Sequence, residues 1–170
     1  MLSNTTNKLR ETMPIQVGDT LPSVELSELS KDGPQKVTSD ELFANKKVVL
    51  FALPGAYTPT CSAAHLPGFV VQADALKAKG VDEIICLSVN DAFVMGAWGE
   101  SQNAENIRMI ADGSANFTEA VDLVLDLTDA NMGIRSQRYA LIANDGVVEW
   151  IGIEDGGFEH STVEAVLAAL

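Results

Sequence analysis

Six consecutive apolar residues, Val48 to Leu53, followed at once by Pro54 and Gly55, constrain this chain more than any other stretch. A run that is apolar at every position, rather than at every second one, reads as a strand buried on both faces, which needs cover above and below its sheet. Proline ends it for want of a ladder donor, and glycine lets the chain turn sharply. Ala56 to Thr60 then lead to Cys61, and SAAHLPGFVVQADALKAKG beyond it reads as helix. A thiol is thereby set where a buried strand passes into a first helical turn, facing unpaired amide N–H groups and the positive end of the helix dipole. That setting favours the thiolate, the reactive form of cysteine. The competing reading is a small buried hydrophobe, the common fate of a free cysteine. Against it stand the polar neighbours Tyr57, Thr58, Thr60 and Ser62.

The chain before and after this stretch alternates between strand and helix signals. Residues 1–13 read as a flexible tail, and residues 14–170 as one domain, since no linker or repeat interrupts them. Val17 to Leu29 alternates in places and is expected to give an edge hairpin turning at Lys31-Asp32-Gly33-Pro34. Ser39 is expected to cap a short helix through Phe43. After Cys61, Pro67 lacks the N–H that would reach the Ala63 carbonyl and is expected to bend the helix. Phe69, Ala73 and Leu76 share one face, and Gly80 closes it. Glu83 to Val89 is a second buried strand, Asp91 caps a helix through Trp98 with Phe93/Ala97 and Val94/Trp98 as i,i+4 pairs, and Ile107 to Ala111 is a third strand. Asn116 to Leu123 reads as helix and Leu125 to Arg135 as irregular. Asn144-Asp145-Gly146 marks a hairpin between Arg138–Ala143 and Val147–Ile153. Thr162 to Leu170 reads as a closing helix capped by Ser161. The order β-α-β-α-β-α, then β-β-α, predicts an α/β fold: a mixed central sheet with helices on both faces. It suits a thioredoxin-like fold and leaves other open α/β sheets possible.

Charge removes some functions. Eleven Lys and Arg against 24 Asp and Glu give a net charge of −13, which opposes binding to nucleic acid or to anionic membrane. The apolar runs are strand-length, so no membrane span is expected. The N-terminus lacks the apolar core of a secretory signal, and Glu11 argues against a transit peptide. Two cysteines do not make a disulfide scaffold, and a cytoplasmic, reducing setting is expected.

Read from residues alone, several side chains keep two meanings. Cys61 has no second cysteine at C-x-x-C spacing, so dithiol exchange within one motif is excluded. His65 is either a base paired with Cys61 or a structural group on the same helix. Arg135 and Arg138 compete as the cation near the thiol. Cys86, in an apolar strand, reads first as core packing. Two histidines and two cysteines so widely spread make a poor zinc site.

The run PGAYTPTCSAAHLPGF resembles the active-site segment of the peroxiredoxins, with Pro54, Thr58 and Cys61 at the family's spacing. CLSVNDAFVMGAW and RYALIANDGVV resemble the peroxiredoxin-5 group, called type II in plants, and the likeness covers nearly all of the chain after the tail. The resemblance implies a thiol peroxidase that reduces hydrogen peroxide and alkyl hydroperoxides through a sulfenic acid at Cys61, with no metal or bound cofactor. It assigns Thr58 to holding thiolate and peroxide and Pro54 to shielding the sulfur. It selects Arg138, directly before the aromatic, as the essential arginine. His65 is left in a supporting place. Cys86 stands where plant type II proteins carry a resolving cysteine, which leaves two routes: a Cys61–Cys86 disulfide, needing Cα atoms within about 7 Å or local unfolding, or an external thiol, glutathione with glutaredoxin or thioredoxin. The external thiol is favoured. Leu127 and Met132 are expected in the substrate pocket, and a homodimer is the expected assembly. The alternative function is a peroxide sensor or holdase using the same cysteine. A cysteine hydrolase is disfavoured for want of a His and Asp pairing.

Overall fold

The structure, a computed structural model, describes residues 14–170; the expected tail at residues 1–13 lies outside them. The stretch Lys47–Ala52 forms β3, and it lies inside a seven-stranded sheet in the order β2-β1-β5-β4-β3-β8-β9. Here β1 is Glu25–Ser30, β2 Gly33–Thr38, β4 Glu83–Ser88, β5 Arg108–Ala111, β8 Tyr139–Asn144 and β9 Val147–Ile153. β3, β4 and β5 run parallel, while β8 lies antiparallel to β3 and β1 antiparallel to β5. The mixed sheet expected of a thioredoxin-like fold is therefore present.

Alternation along β3 explains why it must be apolar throughout. Val49, Phe51 and Leu53 belong to one core cluster, Val48, Leu50 and Ala52 to another, and all six are fully buried. The first face is covered by helices α2 (Leu66–Val71), α3 (Ala73–Ala78), α4 (Ala92–Ser101) and α6 (Val163–Ala169), which contribute Phe69, Leu76, Trp98 and Val166. The second is covered by α1 (Ser39–Phe43) and α5 (Asn116–Ala120), through Phe43 and Phe117. Helices thus lie on both faces of the sheet.

Local chemistry fixes the corners. The hairpin after β8 turns through Asp145 (φ 49°) and Gly146 (φ 79°), the two left-handed residues of a type I′ turn. Asp91 caps α4 by accepting from the Val94 N–H at 2.9 Å. Two expected caps move by one residue. Thr38, not Ser39, accepts from Glu41, because the Ser39 hydroxyl is buried and spent on the Pro22 carbonyl and the Val24 N–H. Thr162, not Ser161, caps α6 through the Ala165 N–H, because Ser161 is engaged elsewhere. The stretch expected to be irregular instead forms a small antiparallel sheet, β6 (Val124–Leu127) with β7 (Gly133–Ser136). In α4 the core face is Ala92, Met95 and Trp98, and Phe93 points outward, 63% exposed. Among the described residues no helix is long and apolar enough to cross a membrane.

Candidate active site

Cys61 opens a wide π-helical turn, Cys61–His65, that runs directly into α2. The Leu66 N–H reaches back five residues to the Cys61 carbonyl, and the next residue is Pro67, which has no N–H to offer. The missing donor that sequence reading expected to bend the helix coincides with a π-turn, a form concentrated at functional sites. Upstream, the loop between β3 and Cys61 is pinned from several sides. The Ala56 N–H donates to Asn90 Oδ1 at 3.0 Å, and the Ser88 hydroxyl donates to the same oxygen at 2.7 Å, tying this loop to the end of β4. The Arg135 guanidinium donates to the Pro54 carbonyl at 3.2 Å and to the Met132 carbonyl at 2.9 Å. Gly55 permits that approach, since a β-carbon there would come within 2.7 Å of Arg135 Nη1.

The sulfur of Cys61 is fully buried. Arg138, just ahead of β8, donates to it from Nη2 at 3.1 Å. The other terminal nitrogen, Nη1, donates to His65 Nδ1 at 2.8 Å, and His65 Nε2 lies 3.0 Å from the Ser161 carbonyl. Because a guanidinium only donates and a carbonyl only accepts, His65 must be the neutral imidazole with its proton on Nε2. Burial and the adjacent Arg138 charge push its pKa down to about 3, partly offset by the Ser161 carbonyl and Glu154. Both ring nitrogens are thereby committed away from Cys61, so the arrangement holds no Cys–His pair. Phe158 covers the group, its ring centroid 5.7 Å from the Arg138 guanidinium carbon and 5.1 Å from the His65 ring.

Similarity to known proteins agrees with this geometry. A family model described as Redoxin matches residues 16–167. Peroxiredoxin-2D of Arabidopsis thaliana is 48% identical over 160 residues, covering 92% of this chain and 99% of that protein. Among solved structures, reduced Prx3 of Vibrio vulnificus in complex with hydrogen peroxide is 58% identical with a TM-score of 0.89, covering 91% of this chain and 98% of the other. Peroxiredoxin 5 of Alvinella pompejana is 32% identical with a TM-score of 0.82, covering 92% and 97%. The chain belongs to the peroxiredoxins.

The site of this peroxiredoxin opens on a cavity of about 470 Å³ whose wall includes Pro54, Thr60, Leu125, Arg138, Glu154 and Phe158. Arg138 joins that cavity to the sulfur. Leu125 takes the place expected of Leu127 and Met132, neither of which lines it. The Thr58 hydroxyl donates to the Gly55 carbonyl at 2.7 Å. Committed there, it can accept from a peroxide O–H, whereas sequence reading expected it to hold the thiolate as well. Arg135 and Arg138, rivals in the sequence, both serve the site: one holds the loop, the other the sulfur. Cys86 lies in the middle of β4, paired with Phe51, and both cysteines are free thiols. Burial pushes the Cys86 thiol well up, and Cys61 beside it adds to that. Sequence reading missed Glu154, Ser161 as a carbonyl partner, Phe158 and Asn90. Only the carboxylate at the head of the glycine-rich EDGG turn carried a signal.

Proposed function

We propose that this peroxiredoxin reduces hydrogen peroxide and alkyl hydroperoxides at Cys61 and is returned to its thiolate by an external thiol, glutathione with glutaredoxin or thioredoxin. The observation that carries the reading is the Arg138 N–H donated to the Cys61 sulfur at 3.1 Å. A guanidinium donor there is complementary to an anionic sulfur and to the negative oxygen that develops as the peroxide bond breaks. In the proposed step the sulfur lone pair forms an S–O bond to the distal peroxide oxygen. The O–O bond breaks, and its electron pair leaves with the second oxygen, which takes a proton to become water or an alcohol. Cys61 is left as sulfenic acid. An incoming thiol then condenses with it, releasing water and forming a mixed disulfide, which a second thiol reduces.

Pro54 and Thr58 complete the proposed catalytic set, Thr58 as acceptor from the peroxide O–H. His65 takes the supporting place, holding the guanidinium. Complete burial of Cys86 inside a central strand supports the external thiol over an internal disulfide, which would need local opening of the Cys61 turn. A homodimer working in the cytoplasm belongs to the same proposal, and sedimentation and cell fractionation test those two points.

The direct experiment measures peroxide consumption with each thiol donor. Cys61→Ser is expected to abolish consumption, and mass spectrometry after one equivalent of peroxide is expected to find sulfenic acid or a mixed disulfide at Cys61. Full activity in Cys61→Ser overturns the proposal. One turnover followed by arrest with every donor identifies a sensor instead.

A further inference from the structure

The segment from Glu154 to Ser161 folds inward around a carboxylate. Glu154, which follows β9, is only 9% exposed. Its oxygens accept from the backbone N–H groups of Glu159, His160 and Ser161 and from the Ser161 hydroxyl, at 2.6 to 3.1 Å. Its own N–H donates to the Arg138 carbonyl at 3.0 Å. The loop lies flat against β9, where a side chain at Gly152 would collide with the His160 carbonyl. Burial opposes the charge of Glu154, but the Ser161 hydroxyl and the three amides prevail and hold its pKa at about 2.

This loop sits three hydrogen bonds from the sulfur of Cys61. Its last residue presents the carbonyl that takes the Nε2 proton of His65, and that acceptance leaves Nδ1 as the acceptor for Arg138. In the opposite tautomer an N–H at Nδ1 would face the guanidinium N–H, and the arginine would lose its anchor. Phe158, in the middle of the same loop, covers both the guanidinium and the imidazole.

We propose that Glu154 is a positioning residue for the reaction: by gathering the 155–161 loop it fixes the Nε2–H tautomer of His65 and so aims the Arg138 guanidinium at Cys61. Its activity consequence rests on the thiol-peroxidase reading; its effect on His65 does not.

The test compares the full-length protein with Glu154→Gln, whose amide would turn N–H groups toward N–H groups. Imidazole ¹⁵N NMR at pH 7 reads the His65 tautomer, and hydrogen peroxide consumption at saturating thiol donor reads the reaction. The expected result is a single Nε2–H signature in the unaltered protein, a mixture of imidazole forms in Glu154→Gln, and a rate lower by about ten- to a hundredfold. A variant that melts earlier yet keeps the single tautomer and the original rate at 20 °C overturns the inference, because that is what a merely structural carboxylate would do. Should Glu154→Gln fail to fold, Ser161→Ala deletes one donor to the carboxylate while keeping the carbonyl. It is expected to loosen the tautomer and slow the reaction several-fold, and no change in either overturns the inference. If the unaltered protein consumes no peroxide, the peroxidase reading falls, and the tautomer comparison still decides the role of Glu154.

Discussion

Cys61 and Cys86 are both fully buried free thiols in the same apolar cluster, yet their surroundings differ in kind. Cys86 lies mid-strand among hydrocarbon, and burial pushes its thiol toward the neutral form. Cys61 begins a helical turn and meets a guanidinium at 3.1 Å, itself held by a neutral imidazole. Burial alone therefore does not set the two sulfurs apart. Under the proposed function, what separates them is the guanidinium donor that the loop-to-helix junction brings to Cys61 and that Cys86 lacks.

The sharpest way to break the contrast is to take the guanidinium away. Arg138→Met should leave Cys61 in surroundings close to those of Cys86. The expected loss in peroxide-consumption rate is about 10²–10³-fold, the scale for one donor aimed at developing charge. Stopped-flow measurement at pH 7 checks it, and a loss under threefold would mean that the arginine is incidental.

Acid should probe the same contrast through His65. Its proton affinity in the folded protein corresponds to about 3 against an ordinary 6.5, so between those values the unfolded chain takes up a proton that the native one refuses. Stability is therefore lost as pH falls from about 6.5 toward 3, and the loss levels off below. Glu154, at about 2 against 4.5, adds a second loss below pH 4.5. From pH 7.5 to 4.5 the His65 share is about 2–3 kcal/mol. Urea titrations at the two pH values measure it, and His65→Gln should flatten the upper window.

The smallest effect belongs to Cys86. Cys86→Ser buries a hydroxyl in hydrocarbon and is expected to cost about 1–3 kcal/mol of stability. The rate of peroxide consumption with glutathione and glutaredoxin should stay within about twofold, since the substitution leaves every bond around Cys61 in place. Arrest after one turnover would restore the internal disulfide route.

How much of this was legible in the sequence follows from the range of each interaction. β3, the Cys61 junction and the Asn144-Asp145-Gly146 hairpin were readable because they depend on neighbours in the chain. The strands β6 and β7 escaped notice because each has four residues, too few to show a period. Caps slipped by one position at Ser39 and Ser161 because those hydroxyls answer to partners distant in sequence or to a buried carboxylate. The choice between Arg135 and Arg138 could not be made from residues alone, since the bonds that separate them reach 77 and 81 positions back. The glycine-rich turn after Glu154 marked its position but not its place in the site, for a similar reason. Its carboxylate connects to the sulfur through Ser161, His65 and Arg138, all distant from Cys61 or from one another in sequence.

The turn that begins at Cys61 uses one residue more than an ordinary helical turn would, and that surplus fixes spacing as well as identity. Removing any single residue between Cys61 and Phe69 would tighten the coil and swing the sulfur by about 100° around the axis, out of line with the arginine. This short segment should therefore tolerate exchanges of side chain far better than any change in its length.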